Sequence, residues 1–185
     1  AKERGLDIMA CTALHYLIFT EEDLDGYNTN LKVFPPLRTK KDRDALLMGI
    51  KDGTIDCIVS DHTAVGIDNK RTDFQSALPG IASQEVFIPA LISYLHVNYG
   101  ISMETILSSI TINPAKAFGL KHKGIALTNK PNFTVLDVKT ERKVTPDMIH
   151  SNGINFPYIN HTLTGFPILT VQNGKIVFNS LKKTV

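Results

Sequence analysis

The stretch Ile55-Asp56-Cys57-Ile58-Val59-Ser60-Asp61-His62 is a short apolar run that ends in a carboxylate and an imidazole. A run of this length with Ile and Val at its centre is typical of a strand buried on both faces. Such strands form parallel sheets, and in α/β barrels the chemistry lies where they end. Because a charge at that position is costly unless something binds it, Asp61 is a candidate metal ligand or polar-substrate contact. The alternative is an aspartate that only caps the next loop.

The chain around this strand alternates strand-like and helix-like patterns up to about residue 123. Leu6 to Cys11 has the apolar character of a strand. Thr39 is a predicted N-cap for a helix over Arg43 to Lys51, which Gly53 ends. Further helices are predicted over Gln84–Tyr99, over Met103–Ile110 and from a cap at Asn113 to Gly119. This alternation predicts an α/β fold with a parallel sheet.

From Gly124 onward the pattern is that of a β-rich tail. Phe133 to Val138 alternates as a strand does. The apolar runs Ile168–Gln172 and Lys175–Phe178 flank Asn173-Gly174, which is a strong hairpin signal. We therefore predict one part over residues 1–123 and a second over residues 124–185. Between the key strand and the first long helix after it, the polar stretch Thr63 to Pro79 is predicted to be a functional or mobile loop.

Composition excludes some classes of function. The 185 residues carry a formal net charge of +2 and no cluster of Lys and Arg, so nucleic acid is not an expected partner. No apolar run approaches the roughly 20 residues that span a membrane. Cys11 and Cys57 lack metal-type spacing and stand in apolar contexts, so we expect buried thiols in a reducing compartment. The cytoplasm is the expected location.

Several short motifs occur in a fixed order along nearly the whole chain. They are Asn30–Arg38 (Asn-Leu-Lys-Val-Phe-Pro-Pro-Leu-Arg), Asp42-Arg43, Asp52–Asp56, Ser60-Asp61-His62, Lys70, Pro79-Gly80-Ile81 with Glu85, Asn113-Pro114-Ala115 and Gly174–Val177. In this order they resemble the dihydroorotases of the amidohydrolase superfamily.

The resemblance implies a (β/α)8 barrel with one or two zinc ions and a small β domain made from both chain ends. This chain corresponds to the C-terminal part of that barrel plus the tail. The implied small-molecule substrate is dihydroorotate, hydrolysed reversibly to N-carbamoyl-aspartate by a metal-activated water. By position Asp61 is the family's catalytic base and also a metal ligand, and Gly80 is the glycine whose backbone approaches the substrate. His62 is expected to support the loop.

Three positions depart from the family pattern. Val65 stands where the family has a His that contacts the substrate carboxylate, and Phe34 stands where it has Asn or Arg. Both predicted substrate-binding positions are thus apolar. We expect this to weaken the binding free energy of a charged substrate by several kcal/mol. In the family's His pair, His15 keeps the first member and Tyr16 replaces the second.

The family's remaining metal ligands precede the first residue of this chain, which leaves Asp61 as the expected ligand. The other histidines are interpreted as structural or surface residues: His96, His122, His150 and His161. Because two strands cannot close a barrel, we expect an upstream segment, or alternatively a partner chain, to supply strands one to six. This segment alone is expected to be inactive.

Three functions are consistent with these residues. The leading one is a dihydroorotase-like cyclic amidohydrolase. The second is a catalytically silent dihydroorotase-like subunit that supports aspartate carbamoyltransferase, which the three departures favour. The third is a hydantoinase- or dihydropyrimidinase-like enzyme, since an apolar pocket wall suits a less polar cyclic amide. A homodimer is a further option for the assembly.

Overall fold

The key apolar stretch forms a strand of a parallel pair. In the computed structural model, which describes residues 1–120 and 130–181, β1 (Cys11–Ala13) lies beside β2 (Cys57–Val59). The two strands run parallel, with Cys11 opposite Cys57 and Ala13 opposite Val59. Both strands therefore end at the same edge, from which the chain continues towards Asp61.

Three expectations about this region are wrong. The strand predicted over Leu6 to Cys11 begins only at Cys11, and Leu6, Ile8 and Met9 before it are exposed. β2 is not buried on both faces: Ile58 is buried, but Val59 is 45% exposed, since within the described residues only β1 pairs with this strand. Cys57 is buried as predicted, but Cys11 is exposed. Among the described residues, only β2 pairs with the strand that Cys11 begins.

Helix α1 (Lys40–Asp52) follows the prediction closely. The Thr39 hydroxyl accepts from the backbone N–H of Asp42, and the Asp42 carboxylate accepts from the backbone N–H of Thr39. This reciprocal capping satisfies N–H groups that the first turn leaves without helical partners. Gly53 ends the helix with a left-handed φ of 81°. α1 buries Leu47 and Ile50.

The predicted helix over Gln84–Tyr99 is a continuous helical segment of mixed geometry. A 3₁₀ turn (Gln84–Val86) leads into α2 (Phe87–Ala90) and then into π-helical turns (Leu91–Asn98). Helix α3 (Met103–Ile110) begins at the predicted cap Ser102, whose hydroxyl accepts from the Thr105 N–H at 3.0 Å.

Helix α4 (Ile112–Ala117) corrects the predicted cap. Asn113 lies inside this helix rather than before it, and its side chain donates to the backbone oxygen of Asp56 at 2.8 Å. The Asn113 side chain thus holds Asp56, the residue that precedes β2. Shorter 3₁₀ turns occur at Lys2–Arg4, Leu14–Leu17, Glu21–Tyr27, Thr29–Leu31, Ile67–Asn69 and Pro146–Met148.

The tail contains the predicted hairpin. β3 (Phe133–Asp137), β6 (Phe166–Gln172) and β7 (Lys175–Asn179) form an antiparallel sheet in the order β3-β6-β7. Asn173-Gly174 turns the chain between β6 and β7, with φ of 50° and 77°. A second antiparallel pair joins β4 (Arg142–Lys143) to β5 (Thr162–Leu163).

One buried cluster joins both parts of the chain. Leu14, Ile58 and Leu91 from the first part belong to the same cluster as Tyr158 and Leu163 from the tail. The predicted division between residues 123 and 124 lies outside the described residues and stays a prediction. In residues 1–120 and 130–181, no helix combines the length and the apolar character needed to cross a bilayer.

Gly165, just before β6, has no room for a side chain. Its φ is 93°, and a Cβ built there would lie 2.5 Å from Cδ1 of Ile92. We expect Gly165→Ala to lower the free energy of unfolding by about 2–4 kcal/mol, from backbone strain and overpacking. Urea denaturation measures the difference.

Gly66→Ala is the matched control, because Gly66 has an ordinary φ of −69° and open space around its Cβ position. It should change stability by less than about 1 kcal/mol. Equal effects of the two substitutions would contradict the close packing of Gly165 on Ile92.

Candidate active site

His15 and Asp61 meet at the carboxyl edge of the parallel pair. Ala13 lies opposite Val59, and each functional side chain follows two residues later. A 3₁₀ turn (Leu14–Leu17) carries His15, while Asp61 has a left-handed φ of 45°. As a result Nε2 of His15 lies 3.6 Å from Oδ2 of Asp61.

The two side chains differ in exposure. His15 is fully buried, and neither of its ring nitrogens has a hydrogen-bond partner within the described residues. The Asp61 side chain is 54% exposed. Burial lowers the pKa of His15 to about 4, against the opposing effect of the Asp61 charge. The imidazole is therefore neutral at pH 7, with a lone pair available to a ligand.

A neutral imidazole nitrogen beside a carboxylate oxygen is a donor set of the kind that zinc takes. The unpartnered ring nitrogens of His15 support this fit, because a buried polar atom without a partner is costly. The number of donors is insufficient, however, since a zinc site has three or four protein ligands. Residues 1–120 and 130–181 contain no group of three or more His, Cys, Asp or Glu side chains that could hold a metal.

Asp61 is the ligand expected from the sequence, whereas His15 was not predicted in this role. The family resemblance interprets His15 as one member of a His pair, which does not imply that it approaches Asp61. Both residues stand two positions after the last residue of their strand, and this equal spacing is the signal that could have predicted the approach. That signal depends on the register of the strands, which the sequence does not give.

Tyr16 packs against His15 of this pair, and Phe34 is next in the chain to a residue that Tyr16 contacts. The Tyr16 hydroxyl donates to the backbone oxygen of Pro35 at 2.7 Å, and its ring packs edge-on against His15 with centroids 4.3 Å apart. Burial, together with the nearby Asp61 charge, raises the pKa of Tyr16. Phe34, which precedes Pro35, is 83% exposed. Phe34 therefore presents apolar surface to solvent.

Both the N–H and the carbonyl of Gly80 are hydrogen-bonded within the protein. Its N–H donates to the backbone oxygen of Lys32 at 2.8 Å, and its carbonyl accepts from Nδ2 of Asn155 at 2.8 Å and from Nζ of Lys70 at 3.0 Å. A Cβ at this position would lie 2.7 Å from Cγ2 of Thr63, at a φ of 139°. Only glycine fits there. The approach of the Gly80 backbone to a substrate stays a prediction.

Val65 lies beneath the loop surface. It is 6% exposed, and its N–H donates to Oδ1 of Asn155 at 2.8 Å. The position therefore offers neither a polar side chain nor a free N–H. His62 supports the loop as predicted: its Nδ1 accepts from the backbone N–H groups of Ser83 at 3.0 Å and Gln84 at 3.1 Å.

His96 and His161 have hydrogen-bond partners of their own. Nδ1 of His96 pairs with the backbone oxygen of Ile101 at 2.8 Å, and Nδ1 of His161 pairs with the Tyr94 hydroxyl at 2.6 Å. His150 is exposed. His122 lies outside the described residues.

Residues 5–177 match the amidohydrolase family. The chain belongs to this family. The match covers both the parallel strands with the His15–Asp61 pair and most of the tail. The α/β content of the structure agrees with that assignment.

Among amidohydrolases the chain is similar to dihydroorotases. It is 39% identical over 186 residues to the dihydroorotase of Carboxydothermus hydrogenoformans, an alignment that covers 100% of this chain and 43% of that protein. The chain thus spans about two fifths of the length of the curated relatives it matches, and it corresponds to their C-terminal portion. The resemblance drawn from the motifs is confirmed.

Solved hydantoinases have a similar fold. A D-hydantoinase is 28% identical with a TM-score of 0.84, over 96% of this chain and 41% of that one. The L-hydantoinase (dihydropyrimidinase) of Arthrobacter aurescens is 26% identical with a TM-score of 0.85, over 97% of this chain and 41% of that one.

Lys70 gives a prediction about pH. It is 2% exposed, donates to the backbone oxygens of Thr29 and Gly80, and burial lowers its pKa from 10.5 to about 8. Between these values the unfolded chain binds more protons than the folded one. The stability contributed by Lys70 is therefore present above about pH 10.5 and is lost as the pH falls through 8.

We compare wild type with Lys70→Met by urea denaturation. The free energy of unfolding of wild type should rise relative to the variant by about 2 kcal/mol between pH 8 and 10. Lys41→Met, at an exposed lysine of α1, should follow wild type over this range. Parallel curves for wild type and Lys70→Met would show that Lys70 is not desolvated.

Proposed function

We propose that the assembled protein, meaning the natural polypeptide or complex that contains this chain, is a dihydroorotase-like hydrolase of cyclic amides. Its substrate is dihydroorotate, which it converts with water to N-carbamoyl-aspartate in pyrimidine biosynthesis. The observation that carries this proposal is the His15–Asp61 pair at the carboxyl edge of two parallel strands. The similarity to dihydroorotases supports the choice of reaction.

Asp61 and His15 are the residues of this chain that we assign to a zinc site. Bound zinc supplies a Lewis acid for the amide carbonyl and lowers the pKa of water. Neutral His15 supplies a nitrogen lone pair from the buried side, and Asp61 supplies an oxygen from the exposed side.

Asp61 is also the proposed general base. Hydrolysis requires that the attacking water lose a proton as its oxygen bonds to the carbonyl carbon. The same proton is then delivered to the ring nitrogen as the C–N bond breaks. A single carboxylate can accept and return this proton, and the Asp61 side chain is exposed enough to reach both atoms.

The remaining ligands are proposed to come from strands one to six of a (β/α)8 barrel, in an upstream segment or a partner chain. Residues 1–123 then form the last part of the barrel, and residues 124–185 form part of the small β domain. Val59 and the residues Leu6, Ile8 and Met9 support this assembly, because they are exposed apolar residues in or just before two strands that pair only with each other among the described residues.

A hydantoinase-like activity is the second candidate. Exposed Phe34 and the Tyr16 ring favour a substrate with apolar surface, and buried Val65 offers no donor to a carboxylate. A neutral cyclic amide, such as a 5-substituted hydantoin or a dihydropyrimidine, suits this wall better than a charged ring. The similarity to solved hydantoinases supports the same class.

Asp61→Asn tests the proposed chemistry. In the assembled protein we expect this variant to lose at least about 1000-fold in kcat, because the amide cannot act as a base at neutral pH. Zinc content, measured on the same sample, should fall. Circular dichroism should match wild type, since the exposed side chain contributes little to packing.

Asp68→Asn, in the exposed 3₁₀ turn Ile67–Asn69, is the control and should keep wild-type activity. Full activity of Asp61→Asn would reject the assignment of the base. An assembled wild-type protein with neither zinc nor activity would instead support the catalytically silent subunit of aspartate carbamoyltransferase.

Phe34→Arg tests the choice of substrate. We expect it to raise kcat/KM for dihydroorotate about tenfold or more relative to a 5-substituted hydantoin, because the guanidinium can pair with the carboxylate. Side-by-side rates on both substrates measure the ratio. An unchanged ratio would show that Phe34 does not face the bound substrate.

A further inference from the structure

A segment of the tail, His150–Asn155, runs along the loop that follows Asp61. Most of its hydrogen bonds to the loop are made by Asn155, which is fully buried. Oδ1 of Asn155 accepts from the Val65 N–H at 2.8 Å, while Nδ2 donates to the carbonyls of Thr63 at 2.7 Å and Gly80 at 2.8 Å. One side chain thus fixes three backbone groups on two separate loop segments.

The backbone of the same segment lies against the loop. The N–H of Ile154 donates to the Val65 carbonyl at 3.1 Å, and the Asn155 carbonyl accepts from the Ala82 N–H at 2.9 Å. A Cβ on Gly153 would lie 2.7 Å from the Val65 nitrogen and 2.9 Å from Cα of Ala64. The approach is therefore so close that only glycine fits.

The other end of the segment is anchored by Glu85. Its Oε1 accepts from the backbone N–H groups of His150 at 3.1 Å and Ser151 at 2.7 Å, and also from the Ser151 hydroxyl. Glu85 lies in the 3₁₀ turn Gln84–Val86, which leads from the Gly80 segment into α2. Both ends of His150–Asn155 are thus bonded to the segments that follow Asp61 and Gly80.

The Gly80 carbonyl is held from two directions, by Asn155 of the tail and by buried Lys70 of the loop. If the loop moved by an ångström, buried polar groups would lose their partners, at a cost for each group. The loop conformation is therefore coupled to the docking of the tail. The loop itself contains little regular structure beyond Ile67–Asn69 that could hold it.

We propose that His150–Asn155, which we call the tail clasp, positions the substrate-facing wall of the active site, with Asn155 as the positioning residue. This inference rests on the proposed function, because it takes the Thr63–Val65 and Gly80 segments as the wall that a cyclic amide contacts. The clasp also occupies the Val65 N–H, so that donor does not contact the substrate.

The test uses Asn155→Ala and Ser151→Ala in the assembled protein, with Asn132→Ala as the matched control. Asn132, an exposed residue just before β3, also accepts from a backbone N–H, that of Asn173 at 2.8 Å, and it belongs to a part of the tail outside the clasp. Steady-state kinetics are measured on dihydroorotate and a 5-substituted hydantoin. Amide hydrogen exchange is measured over residues 63–65 and 80–82.

We expect Asn155→Ala to raise KM about tenfold for the better substrate, because a displaced wall weakens substrate binding. Ser151→Ala should raise it about two- to threefold, and Asn132→Ala should leave it unchanged. Exchange of the Val65 amide should accelerate at least about tenfold in Asn155→Ala alone. A purely structural role would instead reduce the active fraction, which lowers apparent kcat and leaves KM unchanged.

An Asn155→Ala KM within twofold of the Asn132→Ala value would overturn the proposal, whatever happens to kcat. If Asn155→Ala does not fold, Ser151→Ala decides, and a KM equal within error to the Asn132→Ala value would overturn the proposal. If wild type hydrolyses neither amide, the proposed function fails. Hydrogen exchange then tests the clasp alone, and unchanged protection of the Val65 amide in Asn155→Ala would overturn it.

Discussion

The parallel pairing of β1 with β2 is the constraint on which the rest of the structure depends. Its register is fixed at the start of the strands, where the Asp56 carboxylate accepts from the Ala10 N–H at 2.8 Å and pairs with Lys2 at 2.6 Å. Asn113 holds the Asp56 carbonyl from the other side. A shift of one residue would send each side chain to the opposite face and separate His15 from Asp61.

The second constraint is the satisfaction of buried polar groups around Gly80. Asn155 and Lys70 reach its carbonyl from different parts of the chain, and Lys32 accepts from its N–H. Without these partners the loop after Asp61 would leave carbonyl and amide groups buried and unpaired. The tail therefore packs together with the strand edge that Asp61 follows, and both contribute to one buried cluster.

The residues of the site differ in charge and in exposure to solvent. His15 is buried and neutral, whereas Asp61 is open to solvent. The Tyr16 ring packs against His15, and Phe34 is an exposed apolar side chain. A buried lone pair next to an exposed carboxylate suits a metal held at the boundary between protein and substrate. The proposal of a neutral cyclic amide as the substrate depends on the apolar side chains at positions 34 and 65.

The sequence by itself determined the local elements and the family resemblance. Capping residues and periodicity located α1 and α3, Asn173-Gly174 located the hairpin, and the ordered motifs indicated dihydroorotases, because each of these signals is local in the chain. The tertiary structure decided what depends on contacts across long separations. His15 approaches Asp61 only through the register of two strands, and Asn155 reaches Val65 across 90 residues. Spacing in the chain cannot specify such contacts, since packing and hydrogen bonding between distant segments set them.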